Sequence, residues 1–223
     1  MTAPCRVVLA DDHPFLREGL RQALARRPEF IVAGEACDGL ELLKRLGAGV
    51  APDVLILDIS MPGMRGIQAL QEIRNRNLDV RVLMLTMHDE EELLSQALRA
   101  GADGYLLKNE MANELFVALE TILRDEVYIS PFMTREVRDN WLNVFIASKG
   151  ISCGETLSSW QIGLLQLLAQ GASREESARR LGISAPAVYH HRTRIMGKLH
   201  IDEPAELVSY AMSKGYLARD VAV

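Results

Sequence analysis

Cysteine is scarce in this 223-residue chain, and the three present (Cys5, Cys37 and Cys153) are far apart, with no C-x-x-C pair. That pattern argues against a disulfide framework or a zinc site and leaves buried or inert thiols. Long hydrophobic runs are missing too: none reaches the roughly 18 residues that a membrane-spanning helix needs. The N-terminus carries no signal-peptide pattern, so the expectation is a cytoplasmic protein with no membrane partner. No internal repeat or low-complexity tract is visible. The 48% hydrophobic and 25% charged content is that of an ordinary globular protein. The length suits one or two domains, at roughly 100–200 residues each.

The net charge of −5 is unevenly placed. Residues 1–124 hold 14 Lys/Arg against 19 Asp/Glu, whereas residues 154–223 hold 8 against 7. Acids are absent from 184–200, which carries Arg192, Arg194 and Lys198. An acidic first half and a locally basic later helix suggest two different tasks.

The first half alternates. Short β-rich runs at 6–10, 30–36, 53–58, 80–86 and 104–108 are each followed by a helical pattern, at 14–26, 39–49, 65–74, 89–101 and 112–124. "DVLILD" is almost unbroken in its apolar character, as a strand buried on both faces should be. The alternation predicts a doubly wound, five-stranded parallel sheet with helices on both faces, in residues 1–124. Residues 125–155 read as a linker with one short amphipathic helix. Residues 156–223 read as a small all-α domain with helical patterns at 158–170, 173–181, 184–200 and 204–214. Ser158, Ser173, Ser184 and Pro204 open them, and Gly171, Gly182 and Gly215 close three.

In a doubly wound sheet the strand ends converge on one edge. The first strand ends in Asp11-Asp12, the third in Asp58, the fourth in Thr86 and the fifth in Lys108. Three carboxylates with a hydroxyl and an ammonium form a site of hard oxygen donors, which suits Mg²⁺. A single Asp after a strand is most simply a turn or cap residue. Five such positions together point to a site.

The strings "VVLADDHPFLREGL", "LDISMPGMRG", "LTMHDEEE" and "GADGYLLK" resemble the receiver domain of bacterial response regulators, which has a flavodoxin-like α/β fold. The resemblance implies that Asp58 accepts a phosphoryl group from a partner sensor histidine kinase. It implies that Asp12, Asp58 and the Ser60 carbonyl ligate Mg²⁺, with Asp11 acting through water. Lys108 would neutralise charge on the phosphoryl oxygens. Thr86 and Tyr105 fall at the two switch positions of that family: the Thr86 hydroxyl would move to the phosphate and the Tyr105 ring would turn inward.

Residues 157–199 are similar to the helix-turn-helix of the LuxR/NarL/FixJ class, whose recognition helix enters the major groove of double-stranded promoter DNA. On that helix Val188, Ile195 and Leu199 share an apolar stripe, and Tyr189, His190 and Thr193 stand opposite. The resemblance implies base contacts from Tyr189, His190 and Thr193, with Arg174, Arg192, Arg194 and Lys198 on phosphates. Three segments depart from the family. Ser158-Ser159-Trp160-Gln161 stands where Thr-Pro-Arg-Glu is common. Arg174-Glu175-Glu176-Ser177 stands for Asn-Lys-Glu-Ile, and Ala187-Val188-Tyr189 for Thr-Val-Lys. Glu175 and Tyr189 thus replace two lysines that usually face DNA, and Arg174 compensates in part.

Three functions follow from these features. The first is a transcription regulator controlled by phosphorylation. The second keeps the receiver but uses the helical domain to bind protein. The third, an enzyme with Asp58 as covalent nucleophile, is disfavoured because the second Asp that haloacid-dehalogenase-type phosphatases carry two residues on is here Ser60. A homodimer is expected when the protein is phosphorylated or DNA-bound, on half-sites about one helical turn apart. Leu207, Ala211 and Met212 offer a stripe either for that dimer or for packing on the recognition helix.

Overall fold

The computed structural model describes residues 3–133, 157, 159–214 and 216. The linker helix, the Ser158 cap, the Gly215 stop and the Trp160 side chain lie outside the described residues. The chain divides into two compact units, Met1–Thr134 and Arg135–Val223.

The first unit contains β1 (Cys5–Ala10), α1 (Pro14–Ala25), β2 (Phe30–Ala36), α2 (Gly39–Gly47), β3 (Val54–Asp58), α3 (Gly66–Asn75), β4 (Arg81–Thr86), α4 (Glu91–Ala100), β5 (Gly104–Leu107), α5 (Met111–Leu123) and β6 (Tyr128–Ile129). All strand pairs are parallel and the order is β2-β1-β3-β4-β5-β6. The chain builds outward from β1 to β2 and then crosses back to β3, so β1 and β3 are neighbours whose connections leave in opposite directions. The crevice this reversal opens beyond their carboxyl ends is where ligands bind in such sheets. Every residue of β3 is buried, as its apolar run predicts. Helices cover both faces; Val7, Leu9, Ile56, Leu83, Leu85 and Leu106 pack with Leu20, Leu24, Leu115 and Leu119 in one core.

The sixth strand was not expected. Tyr128 and Ile129, assigned from sequence to the linker, pair with Gly104 and Tyr105. The pairing covers the β5 edge, whose amide and carbonyl groups would otherwise lie open. Just beyond it, buried Ser130 accepts a hydrogen bond from Leu107 N at 3.1 Å and donates to the buried Glu110 carboxylate. These bonds fix the turn that carries Lys108.

The second unit contains α6 (Ser159–Ala169), α7 (Arg174–Leu181), α8 (Ala185–Leu199) and α9 (Pro204–Ser213). Ser173 Oγ accepts from Glu176 N at 3.1 Å and Ser184 Oγ from Ala187 N at 3.2 Å, each satisfying an amide that the helix start leaves unpaired. Gly182 ends α7 at φ +67°, a left-handed conformation that costs glycine little and lets the chain turn directly into α8. Leu164, Leu165, Ala178, Leu181, Val188, Ile195, Leu207 and Ala211 form the core, and Leu199 packs against it. Leu207 and Ala211 are therefore spent inside the unit, where α9 packs on α6, and only Met212 of that stripe is exposed.

Candidate functional site

The carboxyl ends of β1, β3 and β5 bring the expected polar groups together. Asp11 follows β1 directly, Asp58 is the last residue of β3, and Lys108 follows β5. The Lys108 ammonium lies 2.8 Å from Asp11 Oδ2 and 2.9 Å from Asp58 Oδ2, with all three side chains nearly inaccessible. Ser60 N donates to Asp58 Oδ1 at 3.1 Å, and His13 N donates to Asp11 Oδ1 at 2.8 Å. Asp12 is half-buried on the same loop.

Burial raises the Asp58 pKa above the ordinary carboxylate value; Lys108 and the Ser60 amide pull it back, and Asp11 pushes it up further. Burial acts to lower the Lys108 pKa, but the two carboxylates outweigh it and hold the ammonium charged above its usual range. The buried oxygens Asp11 Oδ2, Asp12 Oδ1 and Asp58 Oδ2 accept no hydrogen bond of good geometry, although two of them sit at ion-pair distance from Lys108. One ammonium cannot balance three carboxylates. The surplus negative charge and the unused oxygen lone pairs fit a hard divalent cation.

Two further residues frame the site. Thr86 ends β4, one residue beyond Leu85, the partner of Asp58 in the sheet. It is buried, and its hydroxyl accepts from His88 N at 3.0 Å. Tyr105, in β5, is turned inward and fully buried, with its hydroxyl donating to His88 O at 3.1 Å. Burial raises its phenol well above the ordinary value. Ser60 itself is exposed.

Gly66 was not singled out by sequence. It opens α3 so close to β3 that a Cβ there would lie 2.0 Å from Asp58 O. The available signal was a glycine at the first helical position after the "MPGMR" loop, where other residues are equally at home.

On α8, Thr193 is exposed, Tyr189, Arg192 and Lys198 are half-buried, and His190 and Arg194 are buried. The Arg192 guanidinium stands 5.3 Å over the Tyr189 ring, Arg194 Nη1 is 3.3 Å from His190 Nε2, and Lys198 Nζ donates to Gln161 Oε1 at 3.3 Å. Arg174 is exposed at the start of α7, 3.6 Å from the exposed Glu175 carboxylate. Arg179 and Arg180, also exposed, both pair with Glu176. Among the described residues no helix is long and apolar enough to cross a membrane.

Known proteins share both halves of this arrangement. Residues 7–120 match the response regulator receiver domain, and residues 155–211 match the bacterial regulatory proteins of the luxR family. The oxygen regulatory protein NreC of Staphylococcus carnosus (strain TM300) is 37% identical over 219 residues, covering 95% of this chain and 99% of that protein. A LuxR-family two-component response regulator from Aurantimonas sp. SI85-9A1 superposes with a TM-score of 0.58 at 36% identity, over 63% of this chain and 99% of its own. A structure of two RcsB dimers bound to two parallel DNAs gives 0.55 at 27% identity, over 94% and 98%. The chain thus belongs to the two-component response regulators of the NarL/LuxR type, a receiver domain followed by a LuxR-type DNA-binding domain.

Proposed function

We propose that this regulator is phosphorylated on Asp58 by a partner histidine kinase and that the modification controls how its helical domain binds promoter DNA. The observation that carries the reading is the Asp11–Lys108–Asp58 bridge, in which one ammonium faces two buried carboxylates with the buried Asp12 Oδ1 on the same loop. An Asp58 oxygen would form the new bond to phosphorus as the bond from phosphorus to the donor imidazole breaks. Lys108 is placed to hold the charge on the transferred group, and the Ser60 amide holds Asp58 in position. Mg²⁺, bound by Asp12, Asp58 and the Ser60 carbonyl with Asp11 behind it, would neutralise the phosphoryl oxygens. Thr86 and Tyr105 would report the modification, the hydroxyl turning toward the phosphoryl group while the inward ring holds the space it leaves. The regulator is read as a binding protein, since Ser60 leaves no second Asp for hydrolysis. Incubation with acetyl phosphate and Mg²⁺ should add one phosphoryl group, seen by intact-mass spectrometry; labelling that survives in Asp58→Asn would overturn the assignment.

On the DNA side, Tyr189 and Thr193 are the accessible candidates for base contacts, with Arg174, Arg192 and Lys198 for phosphates. His190 on bases and Arg194 on phosphates complete the proposed set. A protein partner for α7 and α8 is the second reading, favoured by the exposed Glu175 beside Arg174, where the pair presents almost no net charge to an anion. A gel-shift on the DNA upstream of the gene, with acetyl phosphate present, separates the two: a shift supports the regulator, and none at any protein concentration supports the protein-binding module. A phosphorylated C₂ dimer on two half-sites completes the proposal.

A further inference from the structure

His13 stands in the phosphoacceptor site without a part in the chemistry just described. It follows the two aspartates and caps α1 without a side-chain capping bond. Its ring is instead turned back on the carboxylates, with Nδ1 2.8 Å from Asp12 Oδ1 and 3.2 Å from Asp11 Oδ1. One donor atom each from Asp11, Asp12, His13 and Asp58 fits within a span of 4.8 Å.

These separations have a meaning for coordination. An octahedral ion with bonds of roughly 2.1 Å has adjacent ligands about 3.0 Å apart and opposite ligands about 4.2 Å apart. The two Nδ1–carboxylate distances bracket the first figure, and the 4.8 Å within which the whole cluster lies is about 0.6 Å beyond the second, so the ligands would draw in slightly on binding. The site therefore holds a nitrogen donor at the position of a ligand, next to the buried Asp12 Oδ1, which accepts no hydrogen bond of good geometry, and to Asp11 Oδ1, which accepts from the His13 amide. Mg²⁺ takes oxygen and leaves imidazole to solvent; Zn²⁺ takes imidazole readily, and Mn²⁺, although it favours oxygen, accepts an imidazole nitrogen among carboxylates.

We propose that His13 Nδ1 is a direct ligand when a divalent transition metal occupies the carboxylate site, so that Mn²⁺ or Zn²⁺ is bound through a donor set different from that of Mg²⁺. In that complex the ring is neutral with its proton on Nε2, and the carboxylate now beside Nδ1 faces the cation. The inference rests on reading the carboxylates as a metal site. It adds a selectivity: His13 favours the transition metal and is nearly indifferent to Mg²⁺. A cell whose free Mn²⁺ or Zn²⁺ rises would then load the site with an ion held through a different donor set.

The test uses the full-length protein with Mn²⁺ alone as the probe. Electron spin-echo envelope spectra of bound Mn²⁺ should show the strong coupling of a directly bonded imidazole nitrogen, and His13→Asn should lose it. Mn²⁺ affinity should fall about tenfold in His13→Asn, while Mg²⁺ affinity, read by competition, changes less than twofold. The ring is two-thirds exposed, so the variant should melt with the wild type. Absence of the nitrogen coupling in wild type, its persistence in His13→Asn, or an equal fall in both affinities would overturn the proposal. Phosphorylation of Asp58 with Mg²⁺ is read separately: if it proceeds while the nitrogen signal is absent, only the role of His13 fails.

Discussion

Gly66 allows the packing around Asp58 to be tested with one methyl group. An alanine Cβ at this position would meet Asp58 O at 2.0 Å, the Asp58 carbonyl carbon at 2.9 Å and Ile59 Cα at 3.0 Å, all backbone atoms. Ordinary contact begins at 3.4 Å, so α3 and the end of β3 must separate by about 1.4 Å. Overfilling a packed site costs roughly 1–3 kcal/mol when side chains can shift, and backbone yields less, so Gly66→Ala should cost about 3 kcal/mol. For a unit of this size that is a fall of about 10 °C in melting temperature. Gly19, exposed in the middle of α1 with nothing within 4 Å of its Cβ position, is the control. There the same substitution only relieves the helix penalty of glycine and should stabilise by about 0.5–1 kcal/mol. Calorimetry of the full-length protein, following the receiver transition, reads both signs. Because the separation displaces the carbonyl of Asp58 itself, Gly66→Ala should also lose Mg²⁺-dependent labelling from acetyl phosphate while Gly19→Ala retains it. Gly66→Ala melting at or above wild type would refute the packing argument.

Other outcomes follow from the same geometry. In metal-free protein, the raised Asp58 pKa means that the folded state keeps a proton the unfolded chain has released. Stability should therefore fall as pH rises from the ordinary carboxylate range through the folded value. The difference between wild type and Asp58→Asn should show that slope, and Mg²⁺ should remove it; a pH-independent difference would contradict it. Arg74, buried in α3, donates to Gly101 O at 3.0 and 2.9 Å, to Val80 O at 2.9 Å and to Asp103 Oδ2 at 3.0 Å. Arg74→Met removes the partner of a buried charge and should cost about 3–5 kcal/mol in denaturant unfolding; a cost under about 1 kcal/mol would show the pair to be dispensable. Tyr189→Lys should raise non-specific DNA affinity and steepen the slope of log affinity against log salt by about 0.9, the share of one phosphate. An unchanged slope would place Tyr189 away from the DNA backbone.

The sequence by itself determined the order of elements, because strands and helices here carry their period locally. The unbroken "DVLILD" run is the buried β3, and the serine caps and glycine stops around α7 sit where they were read. It also singled out Asp11, Asp58, Thr86 and Lys108, since in a parallel sheet every strand ends on the same edge. Tertiary structure decided what depends on contacts between distant residues. The sixth strand is two residues with too short a pattern to register, and it exists because the β5 edge has groups to pair. The role of Gly66 is written in a helix meeting a strand end, and nothing in its own neighbourhood marks the close approach. Leu207 and Ala211 read either as a dimer face or as packing on the recognition helix, and in the fold they are buried where α9 packs on α6. His13 carries no signal of its own in the sequence, and only the fold turns its ring back over two carboxylates. Periodicity fixes which face a residue occupies, but what that face meets is a property of the assembled fold.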